Sequence, residues 1–267
     1  MIRRSIPKVA HIALGILSVA VLVMCYSVLS ERLHALNQKN TVMPSISQMA
    51  KAFIRYSIPD PDTHKIQLIN DLTASGCRYF LALGIASVIS VVLGILMGCY
   101  QIIEGLLIVP LSVAAKTPPT AMMVIFMVLV GTDIQLFLIL IGFGIIPVLT
   151  QVIFQSVKYD VPNELIEKTY TLGGTDCEII MNTIFRQTLP RIIEAIRLQM
   201  GPAMIYLIAA ELSLADVGLG YTINLQGKKQ NMEIVYPYCL LLALIGLFFD
   251  YGLIKIRQWL CPWFEKA

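Results

Sequence analysis

Residues Ile134–Val157 read IQLFLILIGFGIIPVLTQVIFQSV, with no charged side chain between Asp133 and Lys158. An α-helix needs about 20 mostly apolar residues to cross a bilayer core, and this stretch supplies them. Comparable runs recur to either side, at Val9–Leu29, Cys77–Tyr100, Leu106–Val130, Ile192–Leu214 and Val235–Ile256. The chain has 267 residues, of which 57% are hydrophobic and only 14% charged, against roughly 25% charged in a soluble domain. That leaves too few charges to solvate a globular surface. The pattern predicts an all-α membrane protein of about six transmembrane helices, folded as a single transmembrane domain over 1–267 with no room for a second, soluble one.

The run Val9–Leu29 follows Arg3, Arg4 and Lys8 and ends at Ser30-Glu31-Arg32. It is longer than a signal-peptide core and lacks a small-residue cleavage site, so it reads as a retained first helix. Positive charge before it places the N-terminus in the cytoplasm. Six spans then place the C-terminus there too, in agreement with Lys255, Arg257 and Lys266 after the last span. The segment 30–76 falls outside in this topology despite Arg32, Lys39, Lys51, Arg55 and Lys65; at this length charge begins to lose control of orientation. Residues 77–256 form a core of five helices.

Other function classes find little support. The net charge of +3 includes no basic block suited to nucleic acid, and there is no GxxxxGK[ST] stretch, so ATP would have to be bound by another chain. Cys25, Cys77, Cys99, Cys177, Cys239 and Cys261 stand singly, with no CxxC pair. They are expected to be buried free thiols rather than metal ligands or disulfides. His11, His34 and His64 are isolated, and no Ser/His/Asp or HExxH arrangement lies at membrane depth. No catalytic or metal site is expected.

Two segments break the apolar pattern in ordered ways. Pro44-Ser45 with Gln48 forms a capping box. Ile46, Met49, Ala50, Phe53 and Ile54 then recur at helical spacing, opposite Ser47, Gln48, Lys51 and Arg55. This predicts an amphipathic helix on the membrane surface or the bundle, ended by Pro59 and Pro61. Lys116-Thr117-Pro118-Pro119 interrupts the third span. Adjacent prolines cannot donate backbone hydrogen bonds, so the helix must break or kink. Freed carbonyls and a Lys at that depth point to a cavity-facing element, or to a lysine that snorkels to the headgroups. Met122, Met123, Phe126 and Met127 follow at packing spacing.

The most polar interior stretch is Lys158–Arg191. Pro162-Asn163 opens a short helix through Glu164, Glu167, Lys168 and Tyr170. Gly173-Gly174 breaks it, and Thr175-Asp176-Cys177-Glu178 is a second capping box. The next helix carries Ile179, Ile180 and Ile184 on one side, and Thr188-Leu189-Pro190 is expected to close it before the fifth span. A helix–Gly–helix unit suits docking into a groove on another protein. A solvated connecting loop accounts for the residues about equally well, although two well-formed caps favour an ordered element.

Here a resemblance becomes specific. Glu167-Lys168-Thr169-Tyr170-Thr171-Leu172-Gly173, followed by Gln187-Thr188-Leu189-Pro190-Arg191-Ile192, resembles the EAA loop of ABC importer permeases. Glu167 and Gly173 match at the right spacing, while Lys168 and Thr169 replace the two alanines. Of two Leu-Pro pairs usual in the nitrate/sulfonate/taurine/bicarbonate-type branch, only Leu189-Pro190 is present; Phe185-Arg186 stands at the other. Thr41–Phe53 is similar to that branch's helix before span two. Ala209-Ala210-Glu211 through Gly218-Leu219-Gly220-Tyr221 is similar to its A-A-E…GLGY ending of span five, and Lys116–Pro119 falls at its Pro-containing third span. The likeness covers roughly Val42–Ile256.

The resemblance implies the type I ABC importer permease (MetI-like) fold in a bacterial inner membrane. It implies a second permease copy, identical or paralogous, a cytoplasmic ABC ATPase dimer carrying ATP and Mg, and a periplasmic or lipid-anchored substrate-binding protein. The cytoplasmic coupling loop 158–191 would dock on the ATPase through Glu164, Glu167, Lys168, Gly173, Gly174, Thr175, Leu189 and Pro190. Without the motif, Glu167 reads as an exposed helix charge. Lys116, Thr117, Pro118, Pro119, Met123 and Glu211 are candidates for the translocation pathway or gate. For Glu211 the residues alone favour a structural hydrogen bond to a backbone amide or Ser213, and Gly218 and Gly220 a tight turn or a plain loop. Lys116 favours a small anion such as nitrate, sulfonate or bicarbonate over a heterocyclic vitamin precursor. The alternatives are a secondary transporter, which inverted repeats and intramembrane carboxylates would mark, and a non-transporting scaffold that docks a cytoplasmic partner.

Overall fold

The structure is a computed structural model that describes residues 7–36, 42–59 and 66–264. Arg3, Arg4, Lys39, Thr41, Pro61, His64, Lys65 and Lys266 lie outside these residues, and for Lys8 and His11 only the backbone is described. The helices run in order α1 Lys8–Leu36, α2 Ile46–Tyr56, α3 Gln67–Cys99, α4 Gln101–Lys116, α5 Pro119–Val130, α6 Ile134–Asp160 and α7 Asn163–Thr171. Then come α8 Asp176–Glu178, a π-helical turn Ile179–Ile184, α9 Phe185–Leu214, α10 Leu219–Lys228 and α11 Met232–Leu260. Among the described residues, five stretches are long and apolar enough to cross a membrane, or six if α4 and α5 count as one broken span.

Sequence explains where these helices stop. Thr117 precedes Pro118, which precedes Pro119, and a residue before proline is pushed out of the α region. Both are extended (φ −83°, ψ 123° and φ −66°, ψ 119°). Two extended residues in succession turn the chain, and α4 and α5 meet at 102°. Pro119 restarts the helix at its first position, where its missing N–H is no loss. The expected single span Leu106–Val130 is therefore corrected to two helices of 16 and 12 residues. At 1.5 Å per residue these measure about 24 and 18 Å, each short of the roughly 30 Å hydrocarbon core. The second span also begins earlier than expected, at Gln67 rather than Cys77.

The described residues form two compact units, the first ending at Gln67 and including Ile223–Leu240, the second comprising 68–222 and 241–264. In the first, Ser45 caps α2 as its sequence predicts: its N–H donates to Gln48 Oε1 (2.8 Å) and its Oγ accepts from the Gln48 N–H (3.3 Å). The apolar side chains of α2 divide between the unit and the exposed surface. Ala52 is buried and Met49, Phe53 and Tyr56 half-buried, whereas Ile46, Ala50 and Ile54 are exposed. The rotation of the helix is set by partners distant in sequence: Tyr26 Oη donates to Pro44 O (2.7 Å), Ser30 Oγ to Met43 O (3.0 Å) and Gln226 Nε2 to Tyr56 Oη (2.8 Å), and the Tyr56 and Tyr238 rings meet edge-on at 6.2 Å.

In the second unit α6 is the central element. Leu136, Phe137, Leu140, Ile141, Ile145, Leu149 and Ile153 are at most 1% exposed, because α4, α5 and α9 pack around α6. Without a hydrophobic drive between helices in lipid, close backbone approach matters more, and small residues provide it. A Cβ at Gly98 would lie 2.4 Å from Val157 Cγ1, and one at Gly144 2.4 Å from Tyr206 Cε2. Charged side chains tie α9 to α11: Arg197 pairs with Glu194 (2.8 Å) and Asp250 (2.7 Å), and Arg257 with Glu194 (2.6 Å). All six cysteines are free, but only Cys261 is buried. Burial was the wrong expectation for most of them, since an apolar run in a membrane protein can solvate its thiols with lipid as well as with a core.

Candidate functional site

The polar stretch after α6 is a closed hairpin. Val161 precedes Pro162 and is extended (φ −96°, ψ 112°), so α6 ends there and α7 begins. The far end of α7 is a Schellman turn, in which Gly174 N–H donates to Thr169 O (3.1 Å) and Gly173 N–H to Tyr170 O (2.9 Å). Gly173 takes φ +85°, which a side chain resists. Beyond the turn, Thr175 caps α8 by donating its N–H (2.9 Å) and its hydroxyl (2.8 Å) to Glu178 Oε2. Tyr170 Oη donates to Asp176 Oδ1 across the turn (2.8 Å), which pushes the phenol pKa up. Buried Ile179 and Ile184 and half-buried Ile166 seat the hairpin on the core.

The second arm does not end at Thr188-Leu189-Pro190, contrary to expectation. It passes through the π-helical turn into α9 as one helical run Asp176–Leu214 of 39 residues. Pro190 removes one backbone hydrogen bond, the one that Arg186 O would accept. Thr188 Oγ1 bonds Ile184 O (2.9 Å), and Ile184, Thr188, Pro190, Ile192 and Ala195 are all buried. Continuous packing outweighs one missing bond. Arg191 further ties this arm to Asp160 at the end of α6 (3.2 Å), and Lys158 pairs with Glu104 of α4.

The other end of the same helix carries Glu211, whose carboxylate is fully enclosed. Arg78 of α3 pairs with it (2.9 Å) and also donates to Val217 O (2.7 Å). Ser75 Oγ lies 2.8 Å from both carboxylate oxygens and accepts from Leu219 N–H (2.8 Å). Gly220 N–H donates to Glu211 Oε2 (2.9 Å). Of the two structural partners proposed for Glu211, the backbone amide is present and Ser213 is not; Ser213 Oγ turns back to Ala209 O (3.2 Å). Gly218 and Gly220 make a tight turn rather than a plain loop. A Cβ would fall 2.6 Å from Glu211 Oε1 at Gly218, where φ is +139°, and 2.7 Å from Glu211 Cβ at Gly220. Arg78 also lies over the Phe137 ring at 4.5 Å, and beside this cluster buried Asp71 accepts from Thr222 Oγ1 (2.7 Å).

The remaining candidates are placed as follows. Glu164, Glu167, Lys168, Gly173 and Thr175 are exposed on the hairpin, Gly174 and Leu189 half-buried and Pro190 buried. Lys116 is exposed at the end of α4, with Thr117, Pro118 and Pro119 at the bend; Met123 packs on the core. Glu211 pairs with Arg78 and not with Lys116. Sequence reading missed Arg78, Ser75 and Asp71, though a charge one residue into an apolar run was a visible signal. It also missed Leu172, 80% exposed at the hairpin tip, beside the very glycine it singled out.

Glu178 supplies a pH test of the cap. Hydrogen bonds from the Thr175 N–H and hydroxyl hold its carboxyl below the ordinary 4.5. A depressed pKa means the stabilisation is present above that ordinary value and is lost as pH falls through the lowered one. Hydrogen exchange, corrected for intrinsic rate, is expected to show amide protection over 174–179 dropping once the pH falls below 4.5. Glu178→Gln, which keeps an acceptor without titrating, should abolish the dependence. Protection that ignores pH in the native chain would contradict the assignment.

The fold is a helical membrane bundle with a hairpin at one end of a long helix and a buried ion pair at the other. Residues 80–254 match the family described as binding-protein-dependent transport system inner membrane component. The chain is 31% identical over 199 residues to an ABC transporter permease protein of Methanocaldococcus jannaschii, covering 73% of each. It is 27% identical over 192 residues to the taurine transport system permease protein of Escherichia coli, covering 72% of this chain and 70% of that one. A subunit of the methionine ABC transporter MetNI, solved in inward-facing conformations, superposes with a TM-score of 0.63 at 16% identity over 73% of this chain and 96% of that one. The chain belongs to the binding-protein-dependent transport system inner membrane component family and is an ABC importer permease subunit of the MetI-type fold.

Proposed function

We propose that the hairpin of α7 and α8 is the surface on which a cytoplasmic ABC ATPase dimer grips this permease. ATP and Mg are held by that partner. One observation carries the reading: the exposed, stapled hairpin is continuous with α9, so it and Glu211 lie at opposite ends of one helix on the order of 50 Å long. A push on the hairpin reaches Glu211 along one continuous helical run. Glu164, Glu167 and Lys168 offer charges for orientation, and Leu172 an apolar side chain for a groove. In this reading both termini are cytoplasmic, the membrane is the bacterial inner membrane, and two permease copies receive solute from a periplasmic or lipid-anchored binding protein.

Cys177 tests the sidedness directly, because it is free and exposed on the hairpin. In a variant with the other five cysteines replaced, a membrane-impermeant maleimide is expected to label Cys177 only in inside-out vesicles, and a co-purified ATPase to protect it. Labelling of intact cells would overturn the coupling role.

The cargo we propose is a small anion, sulfonates included. Lys116, at the α4–α5 bend where the backbone leaves the helix, and the likeness to a taurine permease support it. Lys116→Ala is expected to reduce uptake of the anion severalfold. Unchanged uptake in a flux assay would remove Lys116 from the pathway. A neutral heterocycle would be the better cargo if the cognate binding protein retained one in a ligand screen.

A further inference from the structure

The second unit contains a cavity for which the permease reading has no use. It measures ≈ 490 Å³ and lies between α3, α9 and α11, with Leu72, Tyr79, Met204, Leu207, Leu244 and Phe248 among its walls. An apolar cavity of about 150 Å³ already stays dry and takes up benzene; this one is more than three times larger. It exists because α11 is held to its neighbours by side-chain tips. The Phe80 and Phe249 rings meet at 4.8 Å, and ion pairs join Arg197 to Asp250 and Arg257 to Glu194.

Three observations define what fits. The cavity offers no unused polar group: Ser75 is engaged with Glu211 and the Leu219 amide, and Tyr79 Oη donates to Met200 O (2.9 Å). It is elongated along the helix axes, because its α3 wall runs from Leu72 to Phe80, about 12 Å at the helical rise of 1.5 Å per residue. Its mouth is continuous with the outer face of α11, where Leu244, Leu247, Phe248 and Tyr251 are between 54% and 72% exposed; in a membrane span such a face is solvated by hydrocarbon. A polar solute has nothing to bind here, whereas a flexible apolar chain entering from the bilayer reaches the floor without desolvating anything.

We infer that this slot holds one acyl chain of a membrane phospholipid. The inference rests on the membrane-spanning fold and not on the hairpin's role, so failure of either leaves the other standing.

The test uses the full chain in nanodiscs of phosphatidylethanolamine and phosphatidylglycerol, doped with a phospholipid that carries a diazirine midway along one acyl chain. Leu72 and Met204 line the slot and are half-buried, so a chain inside it touches them and adducts there report the slot. Gly76 lies on the wall, and a Cβ added there meets nothing within 4 Å, so Gly76→Leu fills the slot from α3 and Leu244→Trp fills it from α11. Light-induced adducts on Leu72 and Met204 are expected in the native chain and should fall at least fivefold in whichever variant folds. Labelling at Val128, 77% exposed on α5, should hold constant. No adduct at Leu72 or Met204, or equal labelling in native chain and folded variants, overturns the inference. So does a Phe248→Cys chain that forms disulfide-linked dimers and loses the label, which would assign the mouth to a second copy.

Discussion

Glu211→Ala is expected to destabilise the permease by about 3 kcal/mol, the lower end of what breaking a buried ion pair by deleting one partner costs. The deletion leaves the Arg78 guanidinium with Val217 O and the Phe137 ring, and it orphans the donors at Ser75 and Gly220. An unpaired buried donor loses its full hydration without compensation. For a chain of this size that corresponds to a fall of roughly 6–12 °C in the detergent melting temperature. The double change Arg78→Met with Glu211→Leu should recover at least half of it, because an apolar pair carries no desolvation penalty. If Glu211→Ala melts within about a degree of the native chain, the ion pair does not hold α3, α9 and the α9–α10 turn together. Uptake separates stability from gating: a double variant that melts normally but transports poorly gives the charges a part in the cycle as well as in the fold.

Gly173→Pro should produce the opposite split, a normally inserted protein that does not transport. Proline fixes φ near −65°, whereas Gly173 sits at +85° and its N–H closes the turn to Tyr170 O (2.9 Å). Proline would also push Leu172 out of its present conformation (φ −83°, ψ 2°). The damage stays local, because the hairpin tip is exposed while the residues that seat it, Ile179 and Ile184, are not changed. Melting is expected to move by no more than a few degrees, uptake to fall at least tenfold, and stimulation of the partner ATPase to be lost. Gly173→Ala, with a left-handed strain of about 1–2 kcal/mol, should fall between. Normal uptake by Gly173→Pro would end the coupling proposal while leaving the family assignment intact.

Much of the architecture was legible before any coordinates, and for one reason. Spans, caps and breaks are written in residues close together in sequence. The caps at Ser45–Gln48 and Thr175–Glu178 formed as predicted, as did the turn at Gly173 and the break at Pro118-Pro119. Pro190 misled because helix-breaking was judged from the proline alone. One absent hydrogen bond does not end a helix that buries Ile184, Thr188, Ile192 and Ala195 along one face.

The amino-acid order by itself thus determined a helical membrane protein, the approximate place of most spans and the hairpin that interrupts them. Only the tertiary structure decided that Arg78 neutralises Glu211 across 133 residues of chain, that the hairpin and the ion pair share one unbroken helix, and that α11 stands off far enough to leave an apolar slot. Hydrogen bonding and hydropathy act over one or two helical turns and so can be read from neighbours. Charge pairing and packing gaps depend on which helices meet and at what rotation, and that is a property of the assembled bundle alone.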